Sequence, residues 1–388
     1  MCKLKYSLKD HLNLIIIIAI LTLFYLSQDV YKWSIIKWLG AQGSSLYVDT
    51  FTVLYYSECY KEIGDGVYSS NSICPNWTYG SSISRLINLA GLTTSQTQLI
   101  GHLFTYLTVT TFVIHLLFFK FRKSLLVITF FGFISPPVWL LFERANFDAL
   151  IYLMVFVSAL IYAKGKHLIS MVLLLVASIS KFYVLPLLLI LGLLTNKFKT
   201  QILSLIIFVL GIFIVVHDLM KIEGNIVQAG NNHFGMKIIG NYLGKIGLQL
   251  ESYWAYLLGL FLFLLCTKLL LKLDGRYKLI HWNNSIIPAL WHYPMFFLSS
   301  VHLFCFVIGL NVDYRLIFYI SSAPYLLIFL SSKARTIFSI VFLISVWFVY
   351  PVGYYQTLGD LALEIFTALQ FIIVLKFFGY NFFSKYEF

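Results

Sequence analysis

Within "WLLFERANFDALIYL", Trp139 to Leu153, four polar side chains stand inside six residues: Glu143, Arg144, Asn146 and Asp148. Two carboxylates can take protons, a guanidinium can hold an anion through two parallel N–H bonds, and an amide can orient a partner. Asp49, in "LYVDTFTVLYY", is a second carboxylate ahead of an aromatic run. Lys181 is the one charge in the 28 residues 168–195, and an ammonium there suits a phosphate as a point charge. Trp77 and Tyr79, in "CPNWTYG", could stack on sugar faces. A carboxylate placed to remove a proton contributes about 10²–10⁴-fold to a rate. Together these residue types suit transfer chemistry on a phosphorylated, polar head.

Each residue also has a structural account. Asp49 precedes a helix-like run and can cap it. Asn146 or Asp148 can cap a helix starting near 149, and Arg144 and Asp148, four apart, can pair if helical. A turn needs only Asn, Gly or Ser, so Glu143 with Arg144 is more charge than a turn requires, and ionisable groups at membrane depth are functional candidates. Lys181 can snorkel. The aromatic residues of "CPNWTYG" and "LWHYP" fit interfacial belts, and Asp313 and Arg315 can pair in a short turn. There is no HExxH, no CxxC pair and no P-loop, which leaves no basis for a metal, ATP or other cofactor site.

The elements that must position these residues lie in membrane. Of 388 residues, 60% are hydrophobic and 11% charged, with a mean hydropathy of +0.85. A water-soluble chain of this length needs more polar surface, so the composition predicts an all-α polytopic membrane protein, one integral domain over 1–388. Crossing about 30 Å of hydrocarbon takes roughly 20 residues. The spans fall near 11–28, 97–119, 124–142, 149–163, 201–217, 254–271, 291–310, 315–332, 336–350 and 361–378. The first lacks a small-residue cleavage site and reads as a signal anchor.

Charge orients them. With Lys3, Lys5 and Lys9 inside, 18 of the 28 Lys and Arg fall in loops or helix ends on that side, while 13 of the 16 acids lie outside or near it. The net charge of +12 is therefore a topology signal rather than a nucleic-acid footprint. One crossing through 168–195 would put the later basic loops outside. Two arms of about 13 residues, each about 20 Å long, keep them inside, with Lys181 near the tip and Pro186 starting or bending the second arm. The prediction is about twelve membrane segments including this short hairpin, with both termini cytoplasmic.

Two outside loops are long, about 29–95 and about 218–253, and together form the cover of an outer-face site. In the first, "YKWSIIKWL" (31–39) suits an interfacial helix. Cys59 and Cys74 share that loop, and a bridge between them would suit an oxidising exterior and contribute about 3 kcal/mol in the chain-entropy model; two free thiols are the alternative.

The order of a first span, an outside loop with Asp49 and "CPNWTYG", the "ERANFD" turn, a basic inside loop and a hairpin with "SKFYVLPLLL" resembles membrane glycosyltransferases of the GT-C superfamily. It is most similar to bacterial hexosyl- and mannosyltransferases that use polyprenyl-phosphate sugars. The resemblance covers mainly 1–200. Ala145 stands where Gly is expected, and Lys181 lies farther from Pro186 than in the expected pattern. The resemblance implies a GT-C-like fold in a bacterial inner membrane. It also implies transfer of a hexose from a lipid-linked donor to a glycan or glycolipid acceptor at the outer face, as in O-antigen or surface-polysaccharide modification. By position Asp49 would be the base, Lys181 and Arg144 would hold the donor phosphate, and Glu143, Asn146 and Asp148 would orient donor or acceptor. The alternative is a flippase, transporter or polymerase of lipid-linked glycans. Transporters often show related halves, and no repeat is found; the outside has only Arg85, Arg144 and Arg315, few for a polymerase.

Overall fold

The computed structural model describes residues 47–68, 74, 81–119, 123–195, 197–222, 233–234, 252–280, 289–308, 311–348 and 354–383. The first span, the 31–39 stretch, Trp77, Tyr79 and most of the second outside loop lie outside them. Among the described residues the fold is all-α. There are fourteen described helices, with one antiparallel pair of two-residue strands, β1 (His233–Phe234) and β2 (Asn311–Val312).

In chain order the helices are α1 (Val48–Ile63), α2 (Ser81–Leu89), α3 (Thr97–Phe119), α4 (Lys123–Phe133), α5 (Pro136–Arg144), α6 (Asp148–Ala163) and α7 (His167–Ser180). Then come α8 (Pro186–Leu194), α9 (Phe198–Ile222), α10 (Ser252–Tyr277), α11 (Ala289–Ile308), α12 (Ile317–Leu327), α13 (Ser332–Trp347) and α14 (Tyr354–Phe383). By length and composition three helices can cross a membrane, in α3, α9 and α14; α4 and α5, bent by 49°, make a fourth as a pair. The bend sits at Ser135, before Pro136 and Pro137, which lack the N–H groups that would continue the helix.

The run 168–195 is two helices, as expected, and contacts along α9 show that they fold back on each other. At the open end Lys197 acts electrostatically on His167, and the Gln201 amide donates to the Thr195 carbonyl. One turn on, the Ser204 hydroxyl donates to the Leu188 carbonyl. A Cβ on Gly211 would lie 2.5 Å from Leu185 and 3.3 Å from Leu175, one from each arm. Gly211 lies roughly 20 Å along α9 from its start, so the tip stops near the middle of that helix. α9 runs on to Asp218 and Lys221. Its exposed Ile202, Leu205, Phe213 and Met220 form an apolar outer surface of the kind that faces lipid.

The far end of α9 carries a roof. Asp218 accepts from the Ser81 hydroxyl at 2.8 Å and the Ser82 N–H at 3.2 Å, capping α2, while Lys221 pairs with Asp65 at 2.9 Å. Asp65 lies beyond α1 in a single 3₁₀ turn. Cys59 of α1 and Cys74 are bridged, 15 residues apart in the chain. At the opposite end of the helices the loops read as cytoplasmic meet each other. Lys376 pairs with Asp274, the Ser331 N–H donates to the Leu279 carbonyl, and Arg335 donates to the carbonyls of Leu327, Ile328 and Leu330. Between the two ends α12 is buried over its whole length, beside α6 and α11.

Candidate functional site

The site grows from the turn between α5 and α6. α5 ends on a left-handed residue, Ala145, at φ 43° and ψ 51°. The Ala145 N–H returns to the Phe142 carbonyl and the Asn146 N–H to the Leu141 carbonyl, the paired bonds of a Schellman end. The Thr50 hydroxyl of α1 donates to the Ala145 carbonyl and pins the turn to the roof. Asn146 then starts the next helix: its Oδ1 accepts the Asp148 N–H at 2.8 Å, satisfying a donor that α6 leaves unpaired.

With Oδ1 committed to that N–H, the Asn146 Nδ2 must point the other way. It donates to Asp49 Oδ2 at 2.5 Å. Arg144 donates to the other oxygen, Asp49 Oδ1, from Nε at 2.8 Å and Nη2 at 2.6 Å. Asp49 therefore does not cap α1, whose N-cap position is Tyr47; it stands in the first turn, near the positive end of the helix dipole. Its side chain is 12% exposed and that of Arg144 37%, so the guanidinium is the outward partner of the pair.

Asp148 faces inward and is completely buried. It accepts from the Tyr183 hydroxyl at 2.5 Å and from Arg315 Nε at 3.1 Å. Lys181, between α7 and the turn Phe182–Val184, also acts on it electrostatically. The Arg315 guanidinium lies over the Tyr183 ring, 5.1 Å from its centroid. A buried carboxylate persists only when paired and hydrogen-bonded, and three groups from two distant segments meet that demand.

The structure thus brings Asp49, Arg144, Asn146, Asp148 and Lys181 into one connected network at the tip of the hairpin, under the roof. One pairing read from the sequence is replaced. Arg144 and Asp148 do not pair, because Ala145 breaks the helix between them; Arg144 takes Asp49 and Asp148 takes Arg315. Asn146 is 1% exposed and both ends of its amide are occupied, so it acts on Asp49 from behind. Glu143 is the last residue but one of α5, and its side chain, like Trp77 and Tyr79, lies outside the described residues.

Sequence reasoning placed Arg315 only in a turn with Asp313, away from the site, and missed Tyr183. Arg315 belongs to a 3₁₀ turn (Asp313–Leu316) in the half of the chain that resembled nothing beyond being apolar. Its signal was present: a lone arginine at the end of an apolar span asks for an anionic partner. Among the described residues no three of His, Cys, Asp and Glu gather as a metal would require. Compared with protein-family models, curated proteins and solved structures, the chain matches none of them.

Proposed function

We propose that the chain is a membrane glycosyltransferase of GT-C type, moving a hexose from a polyprenyl-phosphate donor to a glycan or lipid-linked acceptor at the outer face. The observation that carries this is the network itself. Three cations, Arg144, Lys181 and Arg315, converge with two carboxylates, Asp49 and Asp148. Cations gathered in this way at membrane depth suit an anionic ligand.

In the reaction Asp49 accepts the proton of the acceptor hydroxyl. The hydroxyl oxygen bonds to the anomeric carbon, the bond from that carbon to the phosphate oxygen breaks, and the lipid phosphate departs with the electron pair. Lys181 and Arg315 stabilise the charge that gathers on the phosphate, and buried Asp148 holds Arg315 in place. Twelve segments with both termini inside, in a bacterial inner membrane, complete the proposal.

The test is an assay of membranes with radiolabelled polyprenyl-phosphate sugars. Asp49→Asn and Lys181→Ala are expected to lose at least about a hundredfold in transfer while inserting normally, the scale of a missing base. Full transfer by Asp49→Asn would remove the base assignment. Movement of the lipid-linked sugar across the membrane without transfer would favour a flippase.

A further inference from the structure

The geometry around Asp49 raises a question that the proposed reaction leaves open. A base must offer the acceptor hydroxyl a lone pair, and Asp49 already accepts on both oxygens, with Oδ1 filled by two bonds. Oδ1 takes two N–H bonds from Arg144, at 2.8 and 2.6 Å, and Oδ2 takes the Asn146 amide at 2.5 Å. These two partners are not equivalent. Asn146 is held by the Asp148 N–H and is buried, so it stays where it is. Arg144 is the last residue of α5, and its side chain is three times as exposed as that of Asp49. An anion arriving from outside therefore meets the guanidinium before it meets the carboxylate, and a phosphate suits the same fork of N–H donors that a carboxylate does.

We propose that Arg144 masks Asp49 in the free protein, and that the phosphate of an arriving ligand draws the guanidinium away and releases the carboxylate. This rests on the reading of Asp49 as base and adds an order to it: donor first, acceptor second. Oδ1 becomes available to a hydroxyl only once there is a phosphate for Arg144 to hold. Asn146 keeps the carboxylate aimed throughout the exchange. As the anomeric carbon leaves the phosphate, negative charge grows on the phosphate and binds Arg144 more firmly away from Asp49.

The masking is read directly as reactivity of the Asp49 carboxylate. Full-length protein in proteoliposomes is treated with a water-soluble carbodiimide and an amine, and the fraction of Asp49 converted to amide is measured by peptide mass spectrometry. Farnesyl phosphate, inorganic phosphate and farnesol are added in separate arms, and retention of radiolabelled farnesyl phosphate tracks binding. Labelling is expected to rise about tenfold with farnesyl phosphate, the scale of one charge-assisted hydrogen bond lost, and to stay unchanged with farnesol. A rise with inorganic phosphate as well assigns the release to the phosphate alone; a rise with farnesyl phosphate only assigns it to the lipid. Arg144→Ala should label at the high level without any addition, and Arg144→Lys between the two. Farnesyl phosphate that is retained while wild-type labelling stays flat or falls overturns the masking and leaves the transferase reading intact. No retention at all by the wild type removes the phosphate site and the masking together.

Discussion

At the scale of single residues, "ERANFD" does three tasks with six positions. Ala145 ends one helix, Asn146 begins the next, and the charged side chains on either side reach in opposite directions, Arg144 outward to Asp49 and Asp148 inward to Arg315 and Tyr183. Turn and site are the same structure here, because the αL residue that stops α5 also rotates Arg144 away from Asp148. A left-handed alanine costs about 1–2 kcal/mol from its Cβ, whereas glycine adopts the conformation freely. Ala145→Gly is therefore expected to stabilise the protein by about 0.5–1 kcal/mol, after the larger backbone entropy that glycine loses on folding. A thermal shift in detergent with unchanged transfer would bear this out; a lower melting temperature would contradict it. The chemistry of the knot was legible in the sequence because charge is conspicuous in an apolar chain. Its pairings were not, since they depend on which segments 95 or 167 residues away come alongside.

Elements place those partners. α1 carries Asp49 in its first turn, and α1 starts where it does because Tyr47 turns left-handed, φ 63°, and buries its ring against α3. Gly101 of α3 makes the room: a Cβ there would lie 2.5–2.8 Å from three atoms of the Tyr47 ring. The His102 ring meets Tyr47 edge-on, with centroids 5.4 Å apart. Gly101→Ala should push Tyr47 and the start of α1, costing about 1–3 kcal/mol as overpacking does and lowering transfer by displacing Asp49. Melting temperature and transfer rate measured together test this, and an unchanged pair would show that the ring has room to move. The hairpin was legible from one lysine amid apolar residues and from the signs of the loops on either side. The use of Gly101 was not, because a glycine in a span carries no mark of the ring that packs over it.

On the scale of the whole molecule, the roof is fastened to the helices by a few polar contacts, and one of them titrates. The Lys221 ammonium beside Asp65 holds its carboxyl below the ordinary value of 3.8. A carboxyl that is more acidic in the folded chain than in the unfolded one contributes stability above the unfolded range and loses it as pH falls through the lower folded range. Asp65 is more than half exposed, so solvent screens the pair and the contribution is small. Asp65→Asn is expected to loosen the roof at neutral pH, seen as faster amide exchange in α2, and to match wild type in acid once the native carboxylate has protonated through its lowered range. A difference that persists unchanged in acid would mean that Lys221 is not the cause. The disulfide between Cys59 and Cys74 holds the same roof independently of pH.

Composition and charge by themselves determined that this is a helical chain with helices apolar enough for a membrane, and that 168–195 folds back at Lys181. These follow from local quantities: apolar length against bilayer thickness, and the sign of each loop. They also singled out Asp49, the "ERANFD" turn and Lys181, since an ionisable group in an oily chain stands out at any distance from its partner. Only the tertiary structure decided that Asp49 is held by Arg144 and Asn146, that Asp148 is buried against Tyr183 and Arg315, and that the second half of the chain enters the site at all. A buried charge is paired by whichever opposite charge the packing brings within about 3 Å, and that choice belongs to the arrangement of helices rather than to any one of them.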